Sequence, residues 1–247
     1  YDMNKGKIGG RAYTNGIRLM NNKYSVKAYY DQKNNLKFEV QKSKNNKILN
    51  IIKKIPIVRG IVNLLLAIFM FLKESVASPR KYWFIFVIIA IDIIYMYILE
   101  TGNVSNTTGN IMVLSYYLLP IILIIIFRKK IVQVLKYHGA EHKTVHYYEN
   151  NFQGQISDYS RLHRRCGSNI LFYYFLLSII GGFFKINLNI FIQQLIYLGL
   201  AYEAIRYTPE KLLFIPQLFQ RVVTREPDEK HIQAAKLALN ILNDKIK

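Results

Sequence analysis

Apolar residues in this chain of 247 fall into a few uninterrupted runs, and the stretches between them are rich in Lys, Asn and Gln. A soluble fold would spread them at periods of 3.6 or two. The pattern predicts an integral membrane protein, mainly α-helical, with about four transmembrane helices. Tyr82–Leu99 is nearly all apolar, with Asp92 as its one charge, and Ile111–Phe127 follows, containing Pro120 and ending at Arg128-Lys129-Lys130. Residues 81–127 thus form a first helix pair, and Ile170–Phe184 with Ile186–Ala204 form a second pair over 170–205, joined by a turn at Gly181–Lys185. The run Ile61–Leu72 falls short of the roughly 17–25 residues that a crossing needs. Residues 46–80 therefore read as an interfacial or re-entrant helix.

The polar ends carry other periods. Residues 1–45 read as a small cytoplasmic β element. Tyr24, Val26, Ala28 and Tyr30 share one face, Leu36–Val40 repeats the alternation after the turn Asp31–Asn35, and Ile17–Met20 suggests an earlier strand. So small a sheet needs a cover for its apolar face, and the membrane-proximal loops are the expected one. Over 206–247, two short segments around Pro209 and Pro216 read as amphipathic and interfacial. A C-terminal cytoplasmic helix follows, with Thr224 as its cap, Pro227 in its first turn, and Ile232, Ala235, Leu237, Leu239 and Ile241 as its apolar positions.

Charge sets the orientation. The formal net charge is +19, from 34 basic and 15 acidic residues. Under the four-span topology only Lys185 of the basic residues falls on the outer side, so the positive-inside rule places both termini and residues 128–169 in the cytoplasm. The first 50 residues are polar and show no cleavable signal sequence. A single cysteine excludes an intramolecular disulfide.

The candidate chemistry lies in the 128–169 loop. Continued as a helix, Tyr137–Lys143 sets His138, Glu141 and His142 on one side. Two imidazoles one turn apart can bind one transition-metal ion, with zinc the leading choice, and the adjacent Glu141 can serve as ligand or general base. The order His-x-x-Glu-His also occurs in inverted zinc metallopeptidases. His163 or Cys166 supplies the third ligand, and His146 extends the stripe as a surface residue. The same groups also suit a hydrogen-bonded structural network or a lipid or partner contact. Gly139, between the two histidines, predicts close approach by another backbone or a ligand, because glycine within a helix costs about 1 kcal/mol against alanine. Glu203, Arg225, Glu226 and Asp228 are further candidates.

The blocks YHGAEHKTV, LHRRCGSN and TREPDEKHIQAA, with IPIVRGIVNLL upstream, resemble the YqhQ-like family of bacterial membrane proteins. Its members are described as a domain of unknown function and as predicted metal-dependent enzymes. The resemblance runs from about Gly9 to the C-terminal helix. It implies a polytopic protein of the bacterial inner membrane, and by motif its site residues would be His138, Glu141, His142, His163 and Cys166. Asn15 stands where the family usually has glutamate. Two functions follow as expectations. One is a cytoplasm-facing metal-dependent enzyme, a hydrolase, with Glu141 as its base. The other is a non-enzymatic membrane scaffold whose basic face docks anionic lipid, a ribosome or a translocation complex. Both have the lipid bilayer as partner, and a homo-oligomer is compatible with either.

Overall fold

The computed structural model describes residues 8–43, 47–52, 54–101, 114, 118–184 and 188–245. It divides into two compact units, residues 1–61 with 129–247, and residues 62–128.

The first unit holds a four-stranded antiparallel meander: β1 (Gly9–Ala12), β2 (Gly16–Met20), β3 (Tyr24–Tyr30) and β4 (Leu36–Lys42). Asn15 holds the β1–β2 turn to β3 by donating Nδ2–H to the Tyr30 carbonyl at 2.9 Å. The register pairs Ile17 with Ala28 and Leu19 with Val26, so these four side chains share a face, and all are fully buried. This is the face that the period of two predicts.

Its cover is helical. Helices α1 (Lys47–Ile52), α2 (Val58–Ala77) and α3 (Pro79–Thr101) precede α4 (Arg128–Glu149), α5 (Gly167–Phe183), α6 (Ile190–Tyr207), α7 (Phe214–Val223) and α8 (Glu229–Asp244). Ala234, Ala235, Ala238, Leu239 and Leu242 of α8, with Tyr137, Ala140, Val145 and Tyr148 of α4, join the sheet in one core. Three alanines in register let α8 approach the strands closely, and Leu239 and Leu242 fill the space that remains. The expected cover of membrane-proximal loops is thus replaced by α8 and α4. The N-cap of α8 is Asp228, four residues beyond Thr224, and Pro227 precedes the cap. His231 in the first turn is fully buried: its Nδ1 accepts from the Asp228 N–H at 3.1 Å and its Nε2 faces Gln133 Oε1 at 3.1 Å.

Helices α5 and α6 pack antiparallel, with Gly181 placed against the Tyr197 hydroxyl. Phe219 of α7 meets Phe172 and Phe175 of α5 at ring-centroid separations of 6.0 and 6.3 Å. In the second unit Phe71 meets Tyr82 edge to face, and the Tyr82 hydroxyl donates to Glu74 at 3.0 Å.

These elements overturn the four-span fold. Among the described residues one helix, α2, is long and apolar enough to cross a membrane. It absorbs the 61–72 run, because the helix extends beyond the twelve apolar letters at both ends. In α3 the backbone leaves helical geometry at Tyr82 and the apolar part shortens to Tyr82–Ile98; α5 has 17 residues. Gln193, Gln194 and Glu203 dilute α6. The expected span at 111–127 lies partly outside the described residues. The architecture is a mixed one, an antiparallel sheet with helices packed on it. Counting apolar letters registers neither a backbone break nor polar residues set among the apolar ones.

Candidate metal centre

Helix α4 is the spine of the site. His138, His142, His146 and Glu149 recur at spacings of four, four and three, so they form one stripe on its surface. The chain then turns back along that stripe. Lys143, buried on α4, holds the returning segment through bonds from Nζ to the carbonyls of Ser157 and Tyr159, each at 2.7 Å. The segment ends in a turn that presents His163 and Cys166. Asn169 Nδ2 fixes that turn by donating to the carbonyls of His163 and Arg164 at 3.0 Å, and Cys166 is the N-cap of α5.

Among the described residues, two groups of side chains could hold a metal ion: His138 with His142 and Cys166, and His146 with Glu149 and His163. Within each group the ligand atoms lie within 4.8 Å of one another. Their hydrogen bonds distinguish them. In the first group His138 Nδ1 lies 2.9 Å from the Val223 carbonyl oxygen and His142 Nδ1 lies 2.6 Å from that of Arg161. The Val223 carbonyl oxygen only accepts, so His138 Nδ1 carries the proton and its Nε2 keeps its lone pair. Histidines that bind metals are commonly oriented in this way. His142 Nδ1 stands between an acceptor, the Arg161 carbonyl, and a donor, Gln220 Nε2 at 2.9 Å, so these contacts alone do not set its tautomer. The two rings are 4.5 Å apart, and His138 Nε2 lies 3.5 Å from Cys166 Sγ. Nitrogen and sulfur ligands at about 2.0 and 2.3 Å from one tetrahedral ion stand about 3.5 Å apart. The first group therefore fits a transition-metal ion.

The second group has the opposite polarity. His163 Nδ1 accepts from the Arg165 N–H at 3.2 Å, which leaves the proton on Nε2, and Nε2 faces Glu149 Oε2 at 3.2 Å. The other Glu149 oxygen pairs with the Arg165 guanidinium. Burial pushes the Glu149 carboxyl up, but the His163 bond and the Arg165 charge outweigh it and hold the group below its ordinary value. Burial lowers His163, against the pull of Glu149. His146 Nε2 is engaged by the Leu162 carbonyl at 2.9 Å. This is a hydrogen-bonded network that braces the Cys166 turn, and in it the Nε2 of His163 has no lone pair to give.

Glu141, buried beside the first group, is pushed up to about 7, chiefly by desolvation; the neighbouring His138 and the Gly10 N–H pull the other way. Strand β1 therefore reaches the site. A Cβ on Gly10 would stand 2.7 Å from Glu141 Cγ, so only glycine lets β1 lie there. A cavity of roughly 490 Å³ opens between β1 and α4 and is lined by Gly10, His138, Glu141, His142, Cys166 and Ser168, among others.

The histidine and cysteine blocks of the site fall within the span that the family comparison matches. A family model described as "Protein of unknown function (DUF1385)" covers residues 16–245. The chain belongs to this family. It is also 25% identical to the "Uncharacterized protein YqhQ" of Bacillus subtilis (strain 168), over 97% of this chain and 94% of that protein. No solved structure matches the chain. The resemblance seen in the histidine and cysteine blocks thus extends over nearly the whole length of this DUF1385 member.

The remaining sequence candidates lie elsewhere. Glu203 of α6 pairs with Arg59, through Nε at 2.6 Å among other contacts, within the first unit. Glu226 pairs with Lys143 at 2.6 Å, and Asp228 pairs with Lys136 at 2.7 Å while capping α8. Arg225 contributes backbone: its N–H donates to the Leu135 carbonyl at 2.9 Å, and its own carbonyl rests against Gly139, the close approach that the glycine predicts. Sequence reading missed Glu149, Gly10 and Gln220. Glu149 continues the α4 stripe and could have been found by its spacing; Gly10 and Gln220 carry no such signal.

Proposed function

We propose that this protein is a metal-dependent hydrolase whose ion, zinc being the best match, is held by Nε2 of His138, Nε2 of His142 and Sγ of Cys166. The observation that carries the reading is the His138 Nδ1–H bond to the Val223 carbonyl, which leaves His138 Nε2 free 3.5 Å from Cys166 Sγ, with a ligand atom of His142 within 4.8 Å of both. Three side-chain ligands leave a fourth position for solvent or substrate, the pattern of catalytic rather than structural zinc. Bound there, the ion would supply Lewis-acid polarisation.

Glu141 is the general base in this reading. A carboxyl titrating near neutral pH can both take and return a proton under working conditions. The Gly10 N–H steadies it, and β1 closes the cavity over it. Gln220 and the Glu149–His163–Arg165 network hold the ligand turn without binding the ion. The basic composition and the apolar helix α2 support attachment at the cytoplasmic face of a bacterial inner membrane. The test is a panel of ester, amide and phosphoester substrates. The reading expects chelator-sensitive turnover that Glu141→Gln abolishes while the metal stays bound. Turnover unaffected by chelator, or intact in Glu141→Gln, would overturn it.

A further inference from the structure

The site is braced from behind by a helix that, among the described residues, leaves an apolar outer face exposed. On the inner side of α7, Gln220 is fully buried: its Oε1 accepts from the His163 N–H at 3.2 Å, and its Nε2 lies 2.9 Å from His142 Nδ1. Val223, the last residue of α7, gives its carbonyl to His138. One short helix thus touches both histidines of the first group and the turn that carries Cys166. On its outer side Phe214, Leu218 and Val222 recur at spacings of four and are 58, 53 and 73% exposed.

Charge indicates what covers that face. Between residues 206 and 225 the exposed Arg206, Lys211, Arg221 and Arg225 stand against Glu210 as the one acid. An apolar helix face flanked by arginine and lysine is suited to the headgroup layer of an anionic bilayer, where the side chains bury while the bases meet phosphate. A second copy of a chain with net charge +19 would bring like charges together on the same face. We propose that α7 lies in the surface of an anionic phospholipid bilayer, and that this seating sets the position of the Val223 carbonyl and Gln220, so that the ligand set closes fully only at the lipid surface. The coupling half rests on the metal reading above; the docking half does not.

Docking is tested without metal. In the full chain, Trp83→Phe removes the sole tryptophan, and Val222→Trp then reports on α7. Vesicles of brominated phosphatidylcholine with phosphatidylglycerol should quench this indole, those of brominated phosphatidylcholine alone should quench it much less, and neither should quench a Gln32→Trp control on the exposed β3–β4 turn. Unquenched Val222→Trp emission overturns the docking, whether the helix is free or covered by a second copy, and so does equal quenching at Gln32→Trp. Coupling is tested by zinc competition against a chromophoric chelator. Anionic vesicles should tighten zinc binding about tenfold in the unsubstituted chain and leave Leu218→Glu/Val222→Glu unchanged. An equal gain in both, or none in either, overturns the coupling. Absence of zinc binding under every condition overturns the coupling together with the metal reading, and the quenching result then decides the docking alone.

Discussion

Gly139→Ala tests the packing that aims the first histidine. A Cβ at this position would overlap the Arg225 carbonyl oxygen, and it would stand 3.2 Å from the carbonyl carbon and 3.5 Å from Pro227 Cδ. The obstacle is backbone, so no side-chain rotation relieves it. Forcing a methyl group into packed structure costs about 1–3 kcal/mol. Displacing the segment also strains the Arg225 N–H bond to the Leu135 carbonyl, worth about 1 kcal/mol. The gain in helix propensity returns about 1 kcal/mol, which leaves a net loss of about 1–3 kcal/mol. At about 2–4 °C per kcal/mol for a chain of this size, the melting temperature should fall by about 5 °C. Val223 lies two residues before Arg225 and holds His138 Nδ1, so zinc affinity should fall as well. Gly182→Ala is the control: nothing lies within 4 Å of its would-be Cβ, and the change should be neutral or stabilising by up to about 1 kcal/mol. The assays are thermal unfolding by circular dichroism and chelator competition. If Gly139→Ala matches the unsubstituted chain in both, the Arg225 segment does not rest on α4 and the reasoning fails.

Leu239→Ala removes a fully buried side chain from beneath the sheet and should cost about 2–5 kcal/mol in chemical denaturation, against a much smaller loss for the partly buried Leu237→Ala. His231 is held below its ordinary value, first by burial. A depressed histidine contributes stability above the unfolded value of 6.5 that is lost as pH falls through the folded one, because the unfolded chain takes the proton first. The difference in stability between the unsubstituted chain and His231→Gln should therefore shrink as pH drops below about 6.5, and a difference independent of pH would refute the assignment. Glu149→Gln should leave the zinc stoichiometry intact, since this carboxylate serves His163 and Arg165; loss of zinc would assign the second group as the metal site.

How much of this was legible in the chain depended on what each signal measures. Strands β2, β3 and β4 showed themselves because one face is buried, and burial of a pleated strand produces a period of two. Strand β1 did not: Gly9-Gly10-Arg11-Ala12 has no apolar alternation, and its place depends on Gly10 fitting over Glu141. The α4 stripe was legible at His138, Glu141 and His142. His146 was legible as an extension of the stripe but not as a buried partner, because the Leu162 carbonyl that engages it arrives from a loop; Glu149 was legible by its spacing alone. The choice between His163 and Cys166 depended on which nitrogen carries a proton, a property of hydrogen-bond partners far apart in sequence. Helix α8 was found but started too early, since Thr224 and Asp228 are both good caps. The four-span fold failed for the same reason in reverse: a run of apolar letters signals burial of some kind, and it does not state the length of unbroken helix.

The central claim is that His138, His142 and Cys166 hold one metal ion. Elemental analysis and X-ray absorption of the purified full chain address it most directly. The account predicts about one zinc per chain with two nitrogen ligands and one sulfur, no zinc in His138→Ala or His142→Ala, and loss of the sulfur scatterer in Cys166→Ser. A chain that carries no metal when supplied with zinc, or one whose metal survives both histidine substitutions, would contradict it.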